Sequence, residues 1–398
     1  MITYGQWGHL GGACSLAEIL SGLYFHEMKL DPEHPHMEQR DRLILSKAHA
    51  SPALDAALEL AGFMPKDTME FFESHGVPLK VERGNRVFPL SDKAVDVVDA
   101  LHSFALDKGA KILHARAKEL VIEKGAVKGV LTDTGEKLFA DFVLIATGGV
   151  SYPLTGSTGD GYELAKQAGH TITELNPSLV PLVAHEGFCS ALQGLSLRNV
   201  AIKVIDANSE KEIFSDFGEM LFTHFGVSGP LILSASSHMR NMTRGKYSIL
   251  IDLKPALTQE QLDARILRDF AGNSNKNFIN ALNLLLPKKL VPVIVKLSGI
   301  EPGLKTNQIT KEQRQHLVDI LKAFKVTITA FRPIEEAIIT SGGVKTGEIN
   351  PKTMQSKLVS GLYFAGEVID ADAYTGGFNL QIAFATGNLA GLQIGSSQ

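Results

Sequence analysis

The sequence is poor in cysteine and has no strong excess of charge of either sign. Its two cysteines, Cys14 and Cys189, lack C-x-x-C or Cys/His spacing, which disfavours a disulfide scaffold and a structural zinc site. A net charge of -4 over 398 residues provides no basic field for nucleic acid or an anionic membrane. We therefore expect a small-molecule substrate, no metal, no nucleic-acid partner and no membrane partner, with the oligomeric state left open.

Long apolar runs and a signal-peptide pattern are also lacking. No run reaches the roughly 18 apolar residues that a membrane-spanning helix needs. The start, MITYGQWGHLGG, has no basic region followed by an apolar one. With 44% hydrophobic and 21% charged residues, the chain can still build ordinary globular cores. These features predict a soluble cytoplasmic protein of two or three domains.

Apolar periodicity predicts helices in the first part of the chain and strands after them. Helical spacing covers residues 1–66, and further helices are predicted at 67–76 and 94–109, where Gly109 ends the second. From 110 to 149, apolar and polar residues alternate through glycine-marked turns, which predicts short strands. The run FVLIATGG that closes this stretch has the continuous apolar pattern of a buried strand.

The second half reads as a β-rich and helical insertion, followed by a return to strand, turn and helix. Residues 178–256 are rich in strand patterns, and 258–325 are helical, with Thr258 and Thr310 as expected N-caps. The expected apolar face of the last of these helices comprises Leu317, Ile320, Leu321 and Phe324. Residues 331–398 close the α/β unit to which FVLIATGG belongs.

The stretch GLYFAGEVIDADAYTGGFNLQIAFATG reads as a strand, a glycine-rich turn and a helix of small residues. Gly376 and Gly377 would let the backbone approach a flat ligand, and the N–H groups of Phe378 to Leu380 would be the unpaired donors of a helix start. Such donors stabilise negative charge, for example on a reduced flavin. Small residues predicted to pack the helix closely on a sheet are Ala383, Gly387, Ala390 and Gly391. A turn that only joins strand to helix is an equal alternative.

Several long motifs, in a fixed order, resemble one family of flavoproteins. They are ERGNRVFPLSDKA, VLIATGGVSYPLTGSTGDGYELAKQAGHT, GEMLFTHFGVSGPLILSAS and the stretch from TSGGVKTGEINP to AFATG. Together they resemble the aminoacetone oxidase family of BaiN-like, NAD(P)/FAD-dependent oxidoreductases, over about residues 67–398. The resemblance implies a two-dinucleotide-binding-type FAD domain, interrupted by a β-rich and helical insert. It also implies hydride transfer to or from the flavin.

The resemblance assigns cofactor contacts to residues of this sequence. The backbone of Ala117 would lie near the adenine, and Gly366 and Glu367 would lie beside the ribityl and pyrophosphate region. The other implied contacts are Ala146, Thr147, Gly148 and Gly149 along the cofactor, and Gly377, Phe378, Asn379 and Leu380 at the isoalloxazine.

Two polar residues in the matching motifs are candidates for facing the substrate. His224 in LFTHFGVSGP could act as a base, and Arg86 in GNRVFPLSDKA could bind an anion. Each has a structural alternative. A histidine in an apolar segment is more often a hydrogen-bonded core residue, and an arginine as often forms a structural ion pair, so both alternatives stay open.

The opening half that this family normally has is missing. The resemblance implies a first buried strand, a G-x-G-x-x-G turn over the FAD pyrophosphate, and an acidic residue that holds the ribose. No G-x-G-x-x-G occurs anywhere in the sequence. In a doubly wound sheet the first strand is central, so its loss would leave neighbouring strands with unpaired backbone groups. We expect FAD affinity to be much reduced or lost.

Residues 1–66 resemble the N-terminal segment of the thiamine-diphosphate domain of transketolases instead. The matching motifs are GHLGG, SLAEILSGLYF, RDRLILSKAHASPAL and LAGF, in that order. The resemblance implies that His9 and His49 are a remnant of a thiamine-type site, although Ala48 stands where the family usually has glycine. A helical fragment is expected here, joined in frame to the flavoprotein part as in a gene fusion.

Thiamine diphosphate requires a Gly-Asp-Gly turn and, about two dozen residues later, an asparagine that holds Mg²⁺. Residues 159–161 supply the turn, but no asparagine pair follows at that distance. Bound thiamine diphosphate is therefore disfavoured, and Asp160 is expected to lie at a helix start.

The sequence thus predicts an α/β protein with a truncated FAD domain, an inserted domain and a helical transketolase-like fragment. The expected domains are 1–66, 67–177, 178–330 and 331–398. The predicted function is flavin-dependent oxidation or reduction, impaired by the lost fingerprint, and use of NAD(P)H stays open. The alternatives are a thiamine-diphosphate transketolase-like fragment and a non-catalytic fusion remnant.

Overall fold

The computed structural model describes residues 63–82 and 85–396. The described residues divide into two compact units: unit 1 comprises those up to residue 176 and from residue 340 onward, and unit 2 comprises Pro177–Ile339. Most of the predicted helical fragment, with His9 and His49, lies outside the described residues.

The described part of the chain contains helices and strands in both units, numbered in chain order. The helices are α1 (Pro65–Ser74), α2 (Ala94–Asp107), α3 (Asp160–Gln167), α4 (Phe188–Ala191), α5 (Pro230–Ser236), α6 (Gln259–Ala271), α7 (Phe278–Ala281), α8 (Val291–Ser298), α9 (Lys311–Lys322) and α10 (Phe378–Ser396). The strands are β1 (Leu79–Glu82), β2 (Arg86–Pro89), β3 (Ala117–Glu123), β4 (Ala126–Thr132), β5 (Lys137–Phe139), β6 (Val143–Ile145), β7 (Asn176–Ser178), β8 (Leu182–Ala184), β9 (Ser196–Asp206), β10 (Lys211–Phe222), β11 (Gly226–Ser228), β12 (Tyr247–Asp252), β13 (Phe324–Phe331), β14 (Ile339–Ser341) and β15 (Leu362–Phe364).

Unit 2 is built on a closed barrel with the strand order β10-β11-β8-β13-β12-β9. Alternate residues of β12 and β13 point to the same face, so Ile249, Ile251, Val326 and Ile328 are fully buried. Helices α6 to α9 contribute to the same apolar cluster. The predicted boundary at residue 330 falls inside β13, and the unit continues to Ile339.

The expected caps of the helical part of unit 2 are confirmed. Thr258 and Thr310 each accept a hydrogen bond from the backbone N–H three residues later, and a glutamine at that position completes a capping box in both helices. The expected apolar face of α9 is confirmed at Leu317 and Leu321, which are fully buried. It was wrong at Phe324, because α9 ends at Lys322 and Phe324 begins β13.

The described strands that lie wholly within unit 1 form three small sheets. β1 and β2 form an antiparallel hairpin, and β3, β4 and β5 form an antiparallel sheet. β6 pairs in parallel with β15, with Ile145 opposite Phe364. Parallel strands need a long crossover, and here the crossover contains all of unit 2.

Two expectations for the strands of unit 1 were wrong. Residues 110–116 form no strand, and Ile112 and Leu113 are about half exposed. Leu144 in the middle of β6 is 38% exposed, although FVLIATGG has the pattern of a buried strand. In the described part of the chain β6 pairs only with β15, so the edge to which Leu144 directs its backbone N–H and C=O has no ladder.

A buried histidine lies in the core of unit 1. His170 packs edge-on against the Phe364 ring, and Nε2 lies 2.7 Å from the Ser356 hydroxyl. Nδ1 lies 3.3 Å from a carboxylate oxygen of Glu348 but makes no hydrogen bond within the described residues. Burial lowers the pKa of His170, and Glu348 opposes this only in part.

We expect the free energy of unfolding to fall as the pH is lowered through about 6.5, the ordinary pKa of histidine. In the unfolded chain His170 takes up a proton at that pH, whereas in the folded chain its lowered pKa keeps it neutral until the pH is lower. Urea titrations between pH 5 and pH 8 measure the slope, which His170→Gln should reduce. The exposed His102 provides the control, because His102→Gln should keep it; an unchanged slope in His170→Gln would contradict the assignment.

Candidate flavin site

The loops that follow β6 and β15 lie side by side in unit 1. Parallel strands end at the same edge of a sheet, and the N–H of Ala365 donates to the carbonyl of Ile145 at 3.1 Å. The structure therefore brings together two sets of residues that are about 220 positions apart in the sequence. The first loop carries Thr147, Gly148 and Gly149, and the second carries Gly366 and Glu367.

Gly149 is packed tightly against the Glu367 carboxylate and the Thr340 side chain. A Cβ added at Gly149 would lie 2.6 Å from Oε1 of Glu367 and 2.3 Å from Oγ1 of Thr340. Both distances are too short for any side chain, so a glycine is required here by space. These two predicted cofactor positions therefore lie in one packed cluster with Thr340.

The Glu367 carboxylate is held by two donors on the same oxygen. The N–H of Thr340, in β14, donates to Oε1 at 2.7 Å, and the Ser151 hydroxyl donates to it at 3.3 Å. The Thr340 hydroxyl oxygen accepts from the N–H of Val150 at 2.9 Å. Ser151 and Thr340 lie inside two of the quoted motifs but were assigned no role from the sequence, because each bonds to residues far away in the sequence.

Thr147 lies against the first turn of α3, and Gly148 lies against Ser157, which precedes this helix. A Cβ on Gly161 would lie 2.0 Å from the Thr147 hydroxyl, and Gly148 has a φ of +73° that favours glycine. Asp160 is the first residue of α3, as expected, and its carboxylate receives a two-pronged hydrogen bond from Arg116. This hydrogen bond lowers the pKa of Asp160.

The turn before α10 is glycine-rich and open. α10 begins at Phe378, as predicted, and its first turn is closed by the N–H of Gln381 donating to Gly377 at 3.0 Å. Gly377 has a φ of +92° and no atom within 4 Å of an added Cβ, while Leu380 is 64% exposed. The N–H of Gly366 donates to the Thr386 hydroxyl at 3.0 Å, which ties this helix to the β15 turn.

The Asn379 side chain is hydrogen-bonded to the backbone of the segment that precedes α10. Its Oδ1 accepts from the N–H of Ala373 at 2.8 Å, and its Nδ2 donates to the carbonyl of Ala373 at 2.9 Å. The amide is thus engaged by the segment before α10, so its backbone rather than its side chain is available to a ligand at the helix start.

The buried hydroxyl of Tyr162 lies in the electrostatic field of the Glu367 and Asp370 carboxylates. Tyr162 is 2% exposed, and its hydroxyl finds no hydrogen-bond partner among the described residues. Burial raises the pKa of Tyr162 well above its usual value, and the Glu367 and Asp370 carboxylates act in the same direction. The phenol therefore remains a neutral donor at any physiological pH.

The other predicted site residues lie elsewhere. Ala117 is the first residue of β3, opposite Thr132, and Arg86 is an exposed residue of the β1–β2 hairpin, opposite Glu82. His224 belongs to unit 2. His9 and His49 lie outside the described residues.

His224 is an exposed residue of unit 2 and lies next to an aromatic ring. Its ring lies 4.9 Å from that of Phe225, whose face carries the guanidinium of Arg332 at 4.7 Å. Arg332 makes a two-pronged hydrogen bond to Glu336, which lowers the pKa of that carboxyl, with His224 adding to the effect. His224 is therefore not an apolar core residue.

Other reactive groups are few in the described part of the chain. No group of three His, Cys, Asp or Glu residues there is arranged to hold a metal ion. Burial raises the pKa of the Cys189 thiol to about 12, so it is a poor nucleophile. None of the described helices is long and apolar enough to span a membrane.

The described residues suit the isoalloxazine and ribityl part of FAD better than its pyrophosphate. The space-limited Gly149, the anchored Glu367 and the open helix start at Gly377 suit a polyol and a flat ring. A pyrophosphate needs backbone N–H groups around a glycine-rich turn. The sequence contains no G-x-G-x-x-G turn for that purpose.

The sequence is similar to one protein family over most of its length. The HI0933-like protein Rossmann domain family matches residues 36–393. The 3-dehydro-bile acid delta(4,6)-reductase of Clostridium scindens is 32% identical over 329 residues, which cover 82% of this chain and 79% of that protein. The ribosomal RNA dihydrouridine synthase of Escherichia coli is 29% identical over 82% of this chain and 78% of that protein.

A second similarity is short. The 6-deoxy-6-sulfo-D-fructose transketolase subunit SqwG of a Clostridium species is 47% identical over 72 residues, which are 18% of this chain and 26% of that protein. The chain therefore belongs to the HI0933-like family of flavin-dependent oxidoreductases with a Rossmann domain, and it carries a transketolase-like N-terminal segment.

Proposed function

We propose that this chain is a flavin-dependent oxidoreductase of the BaiN-like type whose affinity for FAD is strongly reduced. One observation carries the proposal: the family's G-x-G-x-x-G turn is absent from the sequence, and a transketolase-like segment stands in its place. The described structure supports it, because β6 pairs on one edge only and residues 110–116 form no strand.

The retained residues have defined roles in this proposal. Glu367 accepts a hydrogen bond from a ribityl hydroxyl, because a carboxylate is an acceptor-only group. The backbone N–H groups at the start of α10 stabilise negative charge on the reduced ring. A bound flavin supplies hydride transfer at N5. What is lost is the set of charge-assisted hydrogen bonds to the pyrophosphate, each contributing about 1.5 to 3 kcal/mol.

The substrate is proposed to be a small molecule that accepts or donates hydride. The names of the two relatives describe a reductase of a 3-dehydro-bile acid and a dihydrouridine synthase of ribosomal RNA. Because this chain has a net charge of -4 and no basic field, a small molecule suits it better than RNA. Cytoplasmic location and NAD(P)H as the reductant belong to the same proposal.

The visible spectrum of the purified protein tests the reduced affinity. We expect little absorbance near the flavin maximum after purification, and a Kd for added FAD weaker than about 1 µM. Gly377→Ala should weaken the residual binding further, because alanine is strained at a φ of +92°. The matched control is Gly347→Ala, at a glycine with open surroundings and an ordinary φ. Stoichiometric, tightly held FAD would contradict the proposal.

Thermal denaturation distinguishes the flavoprotein from the thiamine-diphosphate and non-catalytic alternatives. FAD should raise the melting temperature slightly at high concentration, whereas Mg²⁺ with thiamine diphosphate should not change it. A rise with thiamine diphosphate would favour the transketolase-like alternative. If neither cofactor has an effect and proteolysis spares only unit 2, the chain is a non-catalytic remnant.

A further inference from the structure

Thr340 occupies a special position in unit 1. It is the residue at which the chain re-enters this unit, and it is 1% exposed. Its backbone N–H bonds to Glu367, and its hydroxyl oxygen accepts from Val150. A single residue is therefore hydrogen-bonded to both loops of the candidate site.

These contacts restrict the Glu367 carboxylate. Oε1 receives the Thr340 N–H and the Ser151 hydroxyl, and Gly149 leaves no space for a Cβ between this oxygen and the Thr340 hydroxyl. Ser151 is 4% exposed, so its donor is also fixed by packing. A glutamate side chain with several free torsions is thus held in one orientation, which lowers the entropy cost of binding a ligand.

The charge of Glu367 limits what it can recognise. An ionised carboxylate accepts hydrogen bonds and cannot donate them, so it attracts hydroxyl groups. A phosphate is also anionic and acceptor-rich, and would be repelled. Of the two neighbouring parts of the cofactor implied for this position, the hydroxylated ribityl chain is therefore the one that Glu367 suits.

We propose that Thr340 is a positioning residue, which acts with Ser151 to aim Glu367 at a polyol hydroxyl of the ligand. This inference rests on the proposed flavin site and adds to it the two residues that orient Glu367. Loss of the Thr340 hydroxyl leaves the Val150 N–H without its acceptor, so the loop that carries Ser151 loosens. Glu367 then loses one of its donors and its fixed direction.

Two small flavins test the inference on the full chain. Riboflavin carries the ribityl chain, whereas lumiflavin has a methyl group in its place, and neither has a pyrophosphate. Fluorescence titration gives the affinity for each. We expect the wild-type chain to prefer riboflavin about tenfold, as one hydrogen bond to a charged group provides. Thr340→Val should reduce this preference to less than about threefold, and Thr340→Ser should restore it.

The possible results distinguish a failure of the positioning role of Thr340 from a failure of the flavin site. If both flavins bind and Thr340→Val keeps the full preference for riboflavin, the positioning role is overturned, even if the melting temperature falls. If neither flavin binds to the wild-type chain, the flavin site itself fails and this inference falls with it. Should Thr340→Val yield too little folded protein, Ser151→Ala removes the second donor and is expected to lower the preference in the same direction; an unchanged preference there overturns the inference.

Discussion

A chimera in which residues 1–66 are replaced by a strand, a G-x-G-x-x-G turn, a helix and a second strand ending in an acidic residue should bind FAD at least about 100-fold more tightly than this chain. Two restored charge-assisted hydrogen bonds to the pyrophosphate account for about 3 to 6 kcal/mol, which corresponds to roughly 10² to 10⁴ in affinity. The added strand would also give β6 a second neighbour at Leu144, which is now 38% exposed.

Equilibrium dialysis with FAD measures this gain, and the purified chimera should be yellow. A matched chimera in which the three glycines of the turn are replaced by valine provides the control, because it restores the strand but not the cradle. A gain that survives in this control would mean that sheet repair alone accounts for it. Equal and weak binding by the chimera and the natural chain would show that the missing turn is not the cause.

Phe324→Ala is expected to destabilise unit 2 by about 3 to 5 kcal/mol. Phe324 is 1% exposed at the start of β13, and its ring contacts those of Phe188, at 5.0 Å between centroids, and Phe222, at 6.3 Å. The barrel is closed, so its paired strands cannot shift inward independently to fill the cavity. Hydrogen exchange of the β12 and β13 amides should accelerate by roughly 150- to 5,000-fold if exchange occurs through opening of the unit.

Leu284→Ala is the matched control for this substitution. Leu284 belongs to unit 2 and is 56% exposed, so its loss should change stability by no more than about 0.5 kcal/mol. Local exchange is the suitable measurement, because a chain with two units does not have to unfold in a single transition. Unaltered protection of β12 in Phe324→Ala would contradict the barrel as a cooperative core.

Local signals in the sequence predicted local structure well. The capping boxes at Thr258 and Thr310 depend on side chains within three residues of each other, so the pattern contains all the necessary information. The same holds for the start of α10 at Phe378 and for Asp160 at the first residue of α3.

Failures occurred where the result depends on distant residues. The alternating pattern of 110–116 predicts a strand, but a strand needs a neighbour, and the described chain gives it none. Gly387 and Gly391 were expected to allow close packing of α10, yet no atom lies within 4 Å of an added Cβ at either residue. Of the four small residues in that expectation, Ala390 is fully buried.

In the candidate site, too, the sequence does not reveal contacts between residues that are distant in the chain. The resemblance drew attention to Gly149 and Glu367, and the structure brings them together. It included Thr340 in a motif but assigned no role to this residue, whose hydroxyl accepts from a residue 190 positions earlier. Hydrogen bonds across such separations follow from the tertiary fold alone.

The crossover between β6 and β15 has a consequence for synthesis on the ribosome. Unit 2 is continuous in sequence and can fold as soon as it has emerged, whereas β6 must wait for β15 to be translated. At usual elongation rates the delay is roughly 10 to 40 seconds. Throughout that interval the nascent apolar segment around Leu144 lacks its β15 partner, which makes it a natural point of engagement for a chaperone.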